Sequence, residues 1–163
     1  MENFDEICDL ENFFQQSKTF KNNKPFKYAF IEGFFKRDFY EKLFETYPEY
    51  EKDDGYWSTS TEFTKHQFYR GWGKYNPRYY VGNEPDPKLS PEWNKFFRFL
   101  HSDEFLNALK KFSGVAVDKM KTFRFMLYHK GGFQLPHIHN DGPSTLIVFF
   151  YFSKGWEKGD PGG

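Results

Sequence analysis

Apolar positions recur along this chain in two rhythms, and the change from one to the other organises it. Near the start, Phe4, Ile7, Leu10, Phe13 and Phe14 have a rough helical spacing, which predicts a short amphipathic helix within an N-terminal segment, residues 1–24. Asn22 to Pro25 reads as a turn. Phe26 to Ile31 (FKYAFI) alternates well enough for a strand, which Gly33 ends. From Lys36 to Tyr47 a helix is expected: Phe35, Phe39 and Leu43 repeat every four residues, Tyr40, Phe44 and Tyr47 widen the stripe, and Pro48 stops it.

Residues 49–89 lack a clean period. Glu49 to Gly55 and Asn83 to Pro87 read as loops. Trp57, Phe63, Phe68, Tyr69, Trp72 and Tyr75 lie among polar residues and are read as strands covering a core. The basic and aromatic run Lys65 to Arg70 could alternatively form a surface for single-stranded nucleic acid. Ser90 and Pro91 then make a strong helix start, with Trp93, Phe96, Phe97 and Leu100 on one face. Ser102 restarts a second helix with Phe105, Leu106, Leu109 and Phe112 inward, and Gly114 is placed to cap it. After Asp118 the period becomes two, with Phe123, Phe125 and Leu127 on one face and Arg124, Met126 and Tyr128 on the other. A Gly-rich turn follows at Gly131 and Gly132. Thr145 to Phe152 (TLIVFFYF) is apolar on both faces, as a strand inside a closed sheet would be. Helices first and strands later predict an α+β fold, with a helical layer packed on a barrel or sandwich.

Composition narrows the function classes. A chain of 163 residues can build one domain with a real core. The 23 basic and 23 acidic residues cancel, so no global field draws it to nucleic acid or membrane, and neither is expected as a partner. A single cysteine, Cys8, excludes an intrachain disulfide framework. An acidic N-terminus and the lack of any membrane-length apolar run make a cytoplasmic protein the expectation. The 23 phenylalanines read as bulk core residues.

The candidate chemistry sits between the last two predicted strands. His139 and Asp141, two apart on extended backbone, project to the same side. Together they are two-thirds of a 2-His-1-carboxylate triad, the arrangement that holds Fe(II) with open positions. His137 shares their parity, which leaves a second metal reading: His137 and His139 as the H-x-H pair of a cupin, with Gly131 suitably placed before them. That pattern next needs a Glu, where Pro143 and Ser144 stand, so the carboxylate reading is preferred. Without a metal, HIHND is a polar turn between strands. His66 and His101 show no acid-base partner in the sequence, and His129, next along the strand from Tyr128, is expected to face the other way.

In their order, four features resemble the Fe(II)/2-oxoglutarate-dependent oxygenases, especially the prolyl-hydroxylase-like branch, over residues 25–163. Ile31 to Phe35 (IEGFF) followed by the Lys36 helix is similar to the family's strand-helix opening. Ser90 to Gly114 is similar to its paired helices before the barrel. Tyr128 to Asp141 (YHKGGFQLPHIHND) resembles its tyrosine, Gly-rich turn and His-x-Asp. Tyr151 to Trp156, then Gly162 and Gly163, resembles a strand, a Trp loop and the opening of the next strand. The resemblance implies a double-stranded β-helix (jelly roll) with N-terminal helices packed on it. It implies His139 and Asp141 as iron ligands and Tyr128 lining the 2-oxoglutarate pocket, with ascorbate as a reductant. Arg124, the only basic residue on Tyr128's face of its strand, is the internal candidate for the cosubstrate's distal carboxylate. The implied activity is oxidation of a C–H bond in a small-molecule or peptidyl substrate. A distal His and the following Arg or Lys have no counterpart before Gly163. A longer chain, or a second chain that completes the barrel, is therefore expected to supply them. A non-catalytic jelly-roll interaction protein is the alternative of a different class.

Overall fold

The computed structural model describes residues 4–52, 55–60, 63–72, 84–137, 142, 145–155 and 157. They combine five helices with a three-stranded antiparallel sheet: α1 (Leu10–Gln15), α2 (Ser17–Asn22), α3 (Arg37–Glu45), β1 (Trp57–Ser60), β2 (Thr64–Arg70), α4 (Pro91–His101), α5 (Asp103–Ser113) and β3 (Phe125–Gln134). The described residues gather into two compact units. One draws on 1–46, 87–120 and 141–146, the other on 47–86, 121–140 and 147–163.

The helical unit holds α1 to α5. Asp9 caps α1, its carboxylate accepting from the backbone N–H groups of Glu11 and Asn12 at 3.0 Å. The expected N-terminal helix is thus two short ones. The chain before α1 also pairs with the chain before α3, through an antiparallel bridge of Cys8 with Phe35 and bonds of 2.9 Å from Asp9 N to Phe34 O and from Lys36 N to Ile7 O. Those bonds secure the start of α3, whose cap residue Lys36 makes no side-chain cap bond. Phe39 and Leu43 bury the predicted stripe.

At α4 and α5 the sequence signals translate directly. Ser90 accepts from Trp93 N at 3.2 Å with Pro91 in the first turn. Gly114 ends α5 at φ 77°, a left-handed conformation that favours glycine. Phe99 joins the predicted apolar face of α4 and is fully buried. Rings fill this core: Phe13 stacks on Phe112 with centroids 4.3 Å apart, and Phe99 tilts against Phe105 at 4.9 Å. Among the described residues no helix is long and apolar enough to cross a membrane.

The sheet unit has strand order β1-β2-β3. Lys65 to Arg70 belongs to β2, the central strand, and Gln67, Tyr69 and Arg70 are buried. Trp57 and Phe68 likewise lie on strands as expected, whereas Phe63 and Trp72 flank β2 and Tyr75 lies outside the described residues. Phe125 is 2% exposed and meets Tyr47 at 5.4 Å and Phe123 at 5.0 Å between centroids. Phe123 precedes β3, which begins two residues later than the alternation suggested.

Two predicted strands are absent. Phe26 to Ile31 forms no strand, and Phe26 and Phe30 are 68% and 71% exposed. Thr145 to Phe152 also forms none, with Ile147, Val148, Phe149 and Tyr151 exposed where burial on both faces was expected. Alternation and β-branching describe a surface that suits a sheet, but a strand exists only when a neighbour completes its hydrogen bonds.

Truncating the buried ring at Phe125 to alanine is expected to cost about 3–5 kcal/mol of unfolding free energy. Urea denaturation measures it. A loss within about 0.5 kcal/mol would place that face of β3 at the surface.

Candidate functional site

Strand β3 carries the residues that the sequence singled out before the His-x-Asp motif, and its pairing with β2 decides where they point. Tyr128 stands opposite Gln67, and Met126 opposite Tyr69. Directly opposed residues share a face, so Gln67, Tyr69, Met126 and Tyr128 lie on one side of the sheet. Phe68, Arg70, Phe125 and Leu127 take the other.

The expected Gly-rich turn is instead a wide interruption inside a continuing strand. Between two paired positions β2 advances two residues, from Gln67 to Lys65, while β3 advances five, from Tyr128 to Phe133. The extra residues bulge out at His129 to Gly132. Two glycines make this possible for different reasons. Gly131 adopts φ 76°, which disfavours a side chain. Gly132 lies so close to the backbone that a Cβ would sit 2.8 Å from the His129 carbonyl oxygen and 3.0 Å from that of Lys65. Opposite the bulge, His66 takes φ 49° and its Nδ1 lies 3.3 Å from the Lys130 carbonyl oxygen. Pairing resumes through Gln134, and Leu135 N donates to Phe63 O at 2.7 Å.

The bulge has a consequence for Tyr128. Residues six apart on an extended strand stand about 20 Å apart. Here the phenol of Tyr128 reaches Gln134, donating to its Oε1 at 3.3 Å. The same hydroxyl accepts a short hydrogen bond from Gln67 Nε2. Partial burial raises the Tyr128 phenol above its ordinary pKa of 10.0, and the Gln67 bond acts the other way. Arg124 is exposed, and its guanidinium carbon lies 5.9 Å from the centroid of the Tyr69 ring, on the face that carries Tyr128. That face thus offers a phenol, a guanidinium and two amides, groups suited to a carboxylate.

His139 and Asp141, the metal-ligand candidates, lie outside the described residues. His137 is exposed, its Nδ1 3.0 Å from the Leu135 carbonyl oxygen. No group of three or more His, Cys, Asp or Glu able to hold a metal occurs among the described residues. His129 points to the face opposite Tyr128, as expected, its ring 4.5 Å from Phe68 and 5.7 Å from Tyr50. His101 ends α4 against Phe97 at 4.6 Å, and burial lowers its pKa below the ordinary 6.5. Cys8 is buried, which with nearby Glu104 pushes its thiol up to about 12 and leaves it a poor nucleophile.

Three contributors were not singled out in the sequence. Gln67 was legible only as one residue of a polar-aromatic run. Tyr47 was read as part of a helical stripe, yet it lies beyond α3. Its hydroxyl donates to Met126 O at 3.1 Å and accepts from Met126 N at 3.2 Å, satisfying both backbone groups on the outer side of β3. Asp86, read as loop, forms a buried ion pair with Arg70 at 2.8 Å. The two prolines flanking Asp86 were the available signal for a fixed backbone there.

Comparison with protein-family models, with curated proteins and with solved structures found no match to this chain.

Two outcomes are expected from this geometry. Gly132→Ala forces the backbone apart at the bulge and costs about 1–3 kcal/mol, read from a urea midpoint. The second concerns alkaline pH. Burial raises the Tyr47 phenol from 10.0 to about 12 and the Cys8 thiol from 9.0 to about 12. In both cases the unfolded chain ionises first. The stability they contribute is complete below pH 9 and is lost as pH rises toward 12. Denaturation midpoints should fall across that window, and less steeply in Tyr47→Phe.

Proposed function

We propose that this chain carries part of an Fe(II)- and 2-oxoglutarate-dependent dioxygenase of the prolyl-hydroxylase-like type, with a double-stranded β-helix that further strands complete. The observation that carries this reading is the sequence run from Tyr128 to Asp141, together with the polar face on which Tyr128 and Arg124 stand. The order of elements supports it as well: paired helices α4 and α5, then an antiparallel strand, then His-x-Asp. An imidazole nitrogen from His139 and a carboxylate oxygen from Asp141 are donor types that suit Fe(II) in a facial triad. They fill two of its three protein positions, and the triad needs one further His.

Bound iron with 2-oxoglutarate would supply the oxidising power for a C–H bond, at the expense of the cosubstrate and O2. This chain's own part is binding and orientation. Tyr128 directs its hydroxyl to the cosubstrate carboxylate, and Arg124 offers the positive charge that a sheltered carboxylate requires. The substrate is a small molecule or a peptidyl group, and ascorbate serves as reductant.

Manganese(II) is the convenient probe, because it occupies such sites without turning over. In a domain completed by the third His, electron paramagnetic resonance titration is expected to show stoichiometric binding that His139→Ala and Asp141→Ala abolish and His137→Ala only weakens. Equal loss from His137→Ala and His139→Ala, with Asp141→Ala silent, would favour a cupin-like metal protein. No binding by the completed domain would favour a non-catalytic interaction protein.

A further inference from the structure

We infer that Gln67 is a positioning residue for Tyr128, fixing its hydroxyl as a hydrogen-bond donor toward an incoming carboxylate, and that Gln134 holds the place of that carboxylate until it arrives. The inference rests on the proposed cosubstrate reading for the identity of the ligand, and on geometry for the polarity.

A tyrosine hydroxyl can donate one hydrogen bond and accept others. Which neighbour donates settles which way the proton points. Gln67 is 4% exposed and locked between two partners. Its Nε2 faces the Tyr128 oxygen on one side and the Met126 sulfur at 3.8 Å on the other. A thioether only accepts, so the Met126 sulfur demands the amide nitrogen at that position rather than the amide oxygen, and the same nitrogen faces the Tyr128 hydroxyl. Gln67 therefore donates, and the hydroxyl proton of Tyr128 must go elsewhere. It goes to Gln134 Oε1, across a longer bond of 3.3 Å, on the exposed side of the site.

The contrast between the two partners makes the device. The donor is buried on the central strand, while the acceptor is exposed at the last residue of β3. Displacing Gln134 therefore disturbs little packing, and the ligand that replaces it must bring an acceptor oxygen. Arg124, on the same face, adds a positive charge. A carboxylate gains more from the donated phenol proton than a neutral carbonyl does, and an ammonium brings no acceptor at all. The register offset between β2 and β3 is what brings Gln134 close enough to serve, so the bulge at Gly131 and Gly132 is part of the arrangement.

Two readouts separate this inference from the reading it rests on. The first needs no ligand. In protein labelled with carbon-13 at tyrosine Cζ, the Tyr128 resonance, assigned by its loss in Tyr128→Phe, is followed against pH. Gln67→Met keeps the volume but removes the donor, and the Tyr128 phenol is expected to titrate at higher pH than in the parent. An unchanged titration overturns the inference. The second is calorimetric binding of 2-oxoglutarate in the presence of Mn(II). Gln67→Met should weaken it about fivefold, and Gln134→Ala should tighten it severalfold, each change being about the worth of one hydrogen bond. Both effects should vanish in a Tyr128→Phe background. Equal effects with and without the Tyr128 hydroxyl would show that Gln67 and Gln134 act only on structure, and would overturn the inference. If the parent protein binds no 2-oxoglutarate while the Tyr128 titration still responds to Gln67→Met, the cosubstrate reading fails and the assigned polarity stands.

Discussion

Strand β2 has to bury an amide and a guanidinium three residues apart, and the sheet unit is arranged around that requirement. Neither group can be left without partners away from water. Arg70 is answered by Asp86, with side chains 3% and 0% exposed, and by the carbonyl oxygen of Gly71 at 3.2 Å. The Tyr56 ring lies 4.8 Å from its guanidinium carbon. Gln67 is answered on the opposite face by Tyr128 and Met126. The strand therefore cannot slide. A one-residue slip would exchange its two faces, carrying the guanidinium away from its carboxylate and the amide away from the phenol. Register is enforced by polar groups that have only one place to be satisfied, and the apolar residues follow. An ion pair of this kind contributes little net stability against a well-packed apolar replacement. Its contribution here is to specify one pairing of β2 with β3.

Much of the helical unit was legible in the sequence, because its signals are local. Ser90, Pro91, Ser102 and Gly114 each act within a turn of their own position, and each does in the structure what its chemistry predicts. The sheet was less legible, because its determinants are distant. Nothing near Gln67 announces Tyr128, and nothing near Arg70 announces Asp86. The bulge shows the intermediate case. Gly131 and Gly132 were read as a turn, but whether glycines turn a strand back or let it bulge and continue depends on the partner strand. The failures at Phe26 to Ile31 and Thr145 to Phe152 have the same origin. Both runs have the composition of strands, and among the described residues neither has a ladder.

The candidate site divides along the same line. Tyr128 and Arg124 were placed on one face by counting in twos, and the Tyr69 contact of Arg124 agrees with that placement. Counting could not supply the orientation of the Tyr128 proton, which comes from a residue 61 positions away. His139 and Asp141 were named by parity and by resemblance, and they lie outside the described residues.

Ser102 closes α4 and opens α5 with no residue between them. Its backbone N–H and its hydroxyl both donate to Phe99 O, at 2.9 and 2.7 Å, while the same oxygen atom of its side chain accepts from Phe105 N at 3.2 Å. Most helix pairs are joined by a loop that can lengthen or shorten as sequences drift. This corner has no such slack. An inserted residue would pull the two caps apart and rotate α5 by roughly 100° relative to its buried stripe, turning Phe105 and Phe112 out of the core. The joint is therefore a fixed length in the gene as well as an angle in the protein: related sequences should vary the chain on either side of it and keep the spacing across it.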